Sequence, residues 1–209
     1  MQGNRAKMSD PGNPAHPPVP QPIADLLFTV GYGNRSVDQF ISVLQANEIN
    51  ELIDVRTAPY SRFKSEFSRD ALRAALERHG IGYLFMGDTL GGQPESPACY
   101  TDGKVDYDKL RKQPFFQAGI DHLKTLLRPT RRLALMCSEG RPEQCHRSKL
   151  IGETLDAQGI QVCHIDEDNQ PRTQTEVIHR LTGGQMDLFG PPAFTSRKRY
   201  ASRPRGEQT

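Results

Sequence analysis

The densest set of chemically capable side chains is the stretch Cys137-Ser138-Glu139-Gly140-Arg141-Pro142-Glu143-Gln144-Cys145-His146-Arg147-Ser148. A carboxylate such as Glu139, held among arginines, stays ionised and can take a proton or hold a ribose hydroxyl. His146 carries protons near neutral pH. Cys145 sits where a helix begins, an environment that lowers a thiol pKa, so it reads as the more reactive thiol. Elsewhere, Asp54-Val55-Arg56 combines a carboxylate with a guanidinium, and such an arginine can grip a phosphate or carboxylate through two parallel bonds. The catalytic candidates are therefore Glu139, His146, Cys145 and Asp54. Gly31, Tyr32, Arg35, Arg56, Arg147 and Cys137 are the ligand-binding candidates, grouped around an oxyanion or phosphate subsite. Each has a structural alternative that stays open at this level: a helix start whose arginine pairs with Glu139 or Asp54, and a carboxylate that only orients an arginine.

The remaining thiols add little. Cys137 and Cys145 lie eight residues apart, and Cys163-His164 repeats the Cys-His dipeptide of Cys145-His146. Zinc held by these pairs is conceivable, but no C-x-x-C or H-x-x-x-H spacing supports it. Reduced thiols packing as small hydrophobes are the commoner outcome, so no metal site is assigned and the cofactor stays unknown. Pro59-Tyr60-Ser61-Arg62-Phe63-Lys64 mixes aromatics with bases, a mixture suited to stacking on a nucleobase beside its phosphate.

These residues need a scaffold, and the apolar pattern supplies one. Runs at 26–30, 52–55, 81–86, 132–137 and 160–165 read as five strands. Helical spacing separates them: Val37, Phe40, Ile41 and Leu44 behind an N-cap at Ser36, then Leu72, Ala75 and Leu76 behind Ser68 and ending at Gly80. Phe116, Ile120, Leu123 and Leu127 make a third helical face, and residues 145–158 a fourth. Residues 87–113 read as a long Gly/Pro/Asp-rich loop. The expected fold is α/β, a three-layer domain with a mostly parallel sheet of about five strands and helices on both faces. Ligands in such folds sit beyond the carboxyl ends of strands. The residues following the first, second and fourth strands should therefore share one crevice.

Charge separates the body from its tails. Residues 1–22 carry a net +1 with six prolines, residues 195–209 carry +4, and the rest sums to −3. Such a body is no bulk polyelectrolyte binder. The expected organisation is a disordered segment at 1–22, one domain at 23–182 and a flexible basic tail at 183–209. No apolar run approaches a membrane span and no export leader opens the chain, so a soluble, cytoplasmic protein without a membrane partner is expected.

Thr29-Val30-Gly31-Tyr32-Gly33-Asn34-Arg35-Ser36, Leu52-Ile53-Asp54-Val55-Arg56, Gly91-Gly92 and Leu135-Met136-Cys137-Ser138-Glu139 with Cys145-His146-Arg147-Ser148 together resemble the bacterial domain-of-unknown-function 488 family (DUF488). The resemblance covers about residues 26–166 in order. It implies an α/β domain with signature groups at Gly31, Tyr32, Asp54, Arg56, Cys145, His146 and Arg147, and no established reaction. A fainter likeness is to rhodanese-type sulfurtransferases, which would make Cys137 a nucleophile. It departs in the extra segment Pro142 to His146 and in Glu143 at the loop's arginine position.

Gln185-Met186-Asp187-Leu188-Phe189, flanked by glycines, looks like the peptide by which bacterial repair and replication proteins dock on the DNA sliding clamp. Gln185 would fill a polar subsite, with Leu188 and Phe189 in an apolar pocket. The basic tail beyond, Arg197-Lys198-Arg199, would touch DNA. Three readings follow. The first is an enzyme, a hydrolase or transferase, acting on a nucleotide or nucleic-acid phosphate or glycosyl centre in DNA repair or maintenance and tethered to the clamp. The second is a non-catalytic clamp-tethered recognition module, and the third a Cys-based, rhodanese-like sulfurtransferase.

Overall fold

The computed structural model describes residues 26–184 and 193–200. In chain order the elements begin β1 (Leu26–Gly31), α1 (Val37–Ala46), β2 (Glu51–Asp54), α2 (Arg69–Glu77), β3 (Gly82–Phe85) and α3 (Gly87–Leu90). A small hairpin of β4 (Tyr100–Thr101) and β5 (Lys104–Val105) follows, then α4 (Tyr107–Arg111), α5 (Pro114–Leu126) and β6 (Leu133–Cys137). A π-helical segment, Arg147–Gly152, runs into α6 (Glu153–Asp156), and β7 (Gln161–Ile165), β8 (Pro171–Thr173) and α7 (Gln174–Thr182) complete the set. Among the described residues no helix is long and apolar enough to cross a membrane.

The main sheet has six strands in the order β3-β2-β6-β1-β7-β8. The first five are mutually parallel, and they are the five read from the sequence. β8 is an antiparallel edge strand on β7. Three residues opening on a proline are too short to show alternation, and proline is tolerated at a sheet edge. Residues 87–113 differ from the expected long loop: α3, the β4–β5 hairpin and α4 occupy much of the stretch.

Alternation along the strands divides the core in two. Leu27, Ile53, Val55, Leu133 and Leu135 face one layer with Phe116, Ile120, Leu150 and Leu155. Phe28, Val30, Leu52, Ala134 and Met136 face the other, with Phe40, Leu44, Leu72 and Leu76. So α1 and α2 cover one face, while α5 and the 147–156 segment cover the opposite one. Local chemistry starts these helices. Ser36 and Gln39 form a reciprocal capping box on α1. After α2, Gly80 takes the left-handed conformation (φ +70°) that lets Ile81 N–H reach back to Leu76 O.

The chain leaves β2 across one face and β6 across the other, although the two strands are neighbours. Their carboxyl ends, with that of β1, therefore open a crevice between diverging connections.

Candidate functional site

Gly31 ends β1 where the loop after β6 closes over it. A Cβ at this position would collide with Glu139 O and the Arg147 guanidinium, so only glycine permits the approach. Tyr32 N–H then donates to Cys137 O (3.2 Å) and Gly33 N–H to Ser138 O (3.0 Å), extending the pairing past the strand ends. Tyr32 stacks on Phe67 with ring centroids 4.2 Å apart, and the Arg56 guanidinium lies 5.6 Å from its centroid.

Asp54, fully buried at the end of β2, holds Arg56. Nε donates to Oδ1 at 2.9 Å and Nη2 to Oδ2 at 2.6 Å, while Tyr83 O–H donates to Oδ2 at 2.8 Å. Burial, followed by the Asp54 charge, pushes the Tyr83 phenol well up, so it remains a donor. Arg56 Nη1 is buried and has no hydrogen-bond partner among the described residues.

Beyond β6, Cys137, Cys145 and His146 converge. His146 Nε2 lies 3.0 Å from Val55 O and must donate to it, so Nδ1 is the nitrogen that meets the sulfurs. Nδ1 faces Cys145 Sγ at 3.4 Å and Cys137 Sγ at 3.8 Å. The three donor atoms lie within 4.8 Å of one another. Gly92 packs on the ring: a Cβ there would stand 2.8 Å from His146 Cγ and Nδ1. A hydrogen bond from Cys145 holds the Cys137 thiol well below the usual range, against its burial and with help from His146 and Arg147. Burial, then the Cys137 thiolate, pushes Cys145 well up. The sequence expectation made Cys145 the more reactive thiol from its place at a helix start; both sulfurs are buried side by side here.

Of the sequence candidates, Tyr32, Arg56, Cys137, Glu139, Cys145 and His146 line one open cleft of about 210 Å³. Gly31, Arg35, Asp54 and Arg147 lie outside that lining. Arg35 is consumed by structure: it donates to Gly31 O (2.6 Å), Asp166 O (2.5 Å) and Asn169 Oδ1 (2.8 Å), tying β1 to the turn after β7. Arg147 is fully buried, with Nη2 donating to Gly140 O (2.6 Å) and Nε and Nη1 without a hydrogen-bond partner among the described residues. Cys163 and His164 sit on β7, apart from this group, and both His164 nitrogens are bonded, to Thr29 and Gln174.

One wall of the cleft escaped the sequence reading. Residues 193–200, assigned there to a flexible tail, lie against β5 and the start of α4. Tyr107 N–H donates to Phe194 O (3.1 Å), Ser196 N–H to Val105 O (2.9 Å) and Tyr200 N–H to Gly103 O (2.7 Å). Lys149 Nζ donates to Thr195 O (3.0 Å), and burial lowers its pKa. Tyr107, Ser196, Arg197, Lys198 and Tyr200 thereby join the lining. Arg197 lies 3.3 Å from Glu139, so the partner of that carboxylate is neither Arg56 nor Arg147. Phe194 and Tyr200, two aromatics bracketing a basic run, were the available signal, since both pack on the core. Gln185, Leu188 and Phe189, and the segment 1–22, fall outside the described residues.

A sequence profile described as a domain of unknown function, DUF488, matches residues 36–153. No curated protein and no solved structure matches the chain.

Proposed function

Because the chain belongs to the DUF488 family, described only as a domain of unknown function, we propose from the cleft itself that it is an enzyme acting on a phosphate-bearing substrate of the nucleotide or nucleic-acid class. The observation that carries this reading is Arg56. Asp54 occupies Nε and Nη2, and the remaining Nη1 is buried without a hydrogen-bond partner among the described residues, in a residue that lines the cleft. Leaving such a donor unmet costs on the order of 1–3 kcal/mol, and an anion reaching it recovers that cost. Arg197 and Lys198 add positive charge to the lining. Tyr60, 72% exposed, lines the same cleft, and Phe63, 92% exposed, follows it in a loop with Arg62 5.7 Å from the Phe63 centroid. Aromatic faces beside bases suit a nucleobase with its phosphate. Glu139, whose carboxylate meets Arg197 at 3.3 Å, and His146 are the proton carriers of this reading.

Calorimetric titration of a nucleoside and its 5′-monophosphate tests it. The monophosphate should bind the wild type more tightly than the nucleoside. Arg56→Lys keeps a cation beside Asp54 but loses the second limb, and should weaken the monophosphate by about tenfold, the equivalent of one charge-assisted hydrogen bond. Equal affinity for the two compounds, or an unaffected variant, overturns the reading.

One observation favours a Cys137 nucleophile instead: Cys137 ends β6 on the cleft with His146 Nδ1 3.8 Å from its sulfur. Turnover abolished in Cys137→Ser and intact in Glu139→Gln would select that alternative. The cellular setting we propose is DNA maintenance, through docking of Gln185, Leu188 and Phe189 on a sliding clamp. Its support is the pentapeptide sequence between glycines.

A further inference from the structure

We propose that Cys137, Cys145 and His146 form a binding site for a zinc-class divalent cation, with the fourth coordination position open to the cleft. Three soft donors from two segments meet at one point, and each residue is more than nine-tenths buried. Among the described residues no other cluster of this kind occurs.

A hydrogen bond from Cys145 joins the two sulfurs, and the imidazole ring stands against both. A neutral imidazole whose Nε2 donates to Val55 O has a single lone pair on Nδ1. Two sulfurs nevertheless face that one lone pair, at 3.4 and 3.8 Å. One thiol can use it well and the second cannot. A cation on the lone-pair axis satisfies all three donors at once. With metal–sulfur and metal–nitrogen bonds of about 2.3 and 2.05 Å at a tetrahedral angle, sulfur and nitrogen stand about 3.6 Å apart. The two observed separations straddle that value.

The surroundings fit the same assignment. A metal-bound histidine characteristically donates its other ring N–H to a carbonyl, which fixes its tautomer and orientation, and Val55 O takes this part. Arg147 N–H donates to Cys145 Sγ at 3.5 Å, an outer bond that steadies a thiolate ligand. Gly92 keeps the space beside Nδ1 clear, because any side chain there would press on the ring. Thiolate and imidazole select zinc over magnesium or calcium, which prefer oxygen. Three protein ligands lining a cleft leave a position for water or substrate, the pattern of reactive rather than structural zinc. A cation held this way occupies both thiolates, so it is an alternative to the Cys137 nucleophile. It leaves the anion-binding part of the phosphate reading untouched, since Arg56 is no ligand, but it takes His146 Nδ1 and so leaves Glu139 as the proton carrier.

The test uses the full chain, reduced, freed of metal by a chelator and titrated with Co2+ and then Zn2+. The expected result is one equivalent of cobalt with a thiolate-to-metal charge-transfer band and the strong visible absorption of a four-coordinate site, bleached by zinc. Losing an outer-shell partner costs roughly 10–100-fold in affinity, so Cys137→Ser or Cys145→Ser should cost about 100-fold or more. Cys163→Ser should leave binding unchanged. Should a ligand variant fail to fold, the wild-type cobalt spectrum decides alone. No stoichiometric uptake, a spectrum without charge transfer, or equal loss in Cys163→Ser overturns the proposal. Cobalt binding by a chain that does not prefer the nucleotide overturns the phosphate reading and leaves this one standing. The reverse pattern overturns this one alone.

Discussion

His164, on β7 beside the edge strand β8, is held neutral by its burial. It accepts from Thr29 Oγ1 at Nδ1 (2.7 Å) and donates from Nε2 to Gln174 Oε1 (2.6 Å), so both nitrogens are committed. Burial, followed by the nearby Arg147 charge, lowers its pKa from 6.5 to about 3. The unfolded chain, with an ordinary imidazole, takes up its proton first as pH falls. The contribution to stability is therefore complete above the unfolded value and is lost progressively on acidification toward the folded one. The slope approaches one proton, about 1.4 kcal/mol per pH unit, which amounts to about 2–3 kcal/mol by about pH 4.5. Asp166, held low by Arg180 despite its burial, adds its own loss only at and below the ordinary carboxylate range. The interval from about pH 6.5 to about pH 4.5 thus isolates the histidine. Urea unfolding across that interval, for the wild type and His164→Gln, measures the effect. The substitution also shifts stability at neutral pH, so the comparison is of slopes. The wild type should weaken more steeply than the variant by close to one proton. Parallel curves would falsify the buried-neutral assignment.

The buried Asp54–Arg56 pair gives a second test. Asp54→Asn strands the Arg56 charge and should cost about 3–5 kcal/mol in urea unfolding, whereas adding Arg56→Gln should recover part of that loss. Additive losses would show that the pair is not coupled. Surface plasmon resonance against a bacterial sliding clamp should show binding by the intact chain and none by the variant with Gln185, Leu188 and Phe189 all changed to Ala. No binding by the intact chain removes clamp docking.

Short-range chemistry was legible without coordinates. The five parallel strands, the Ser36 cap, the Gly80 stop and the crevice shared by the ends of β1, β2 and β6 all follow from apolar period, cap residues and the geometry of parallel sheets. Each depends on residues a few positions apart, or on a rule that holds for any sheet of this kind. Arg35 and Arg56 show where that reach ends. Both follow a strand closely, but Arg35 is claimed by Asp166 and Asn169, more than a hundred residues away, while Arg56 keeps one donor unmet in a residue lining the cleft. The thiols behave likewise. A helix start marks Cys145 as the reactive one, yet the hydrogen bond it gives to Cys137 holds the Cys137 thiol low against its burial. Spacing alone could not register that Cys137, Cys145 and His146 converge, because the loop that joins them folds back on itself after β6. Nor does composition distinguish a basic tail from a wall, since Arg197, Lys198 and Tyr200 reach the cleft only through the pairing of Thr195 and Ser196 with residues 105–107. Those outcomes depend on which distant groups compete for the same buried donors and acceptors, and that competition is settled only when the chain has closed around them.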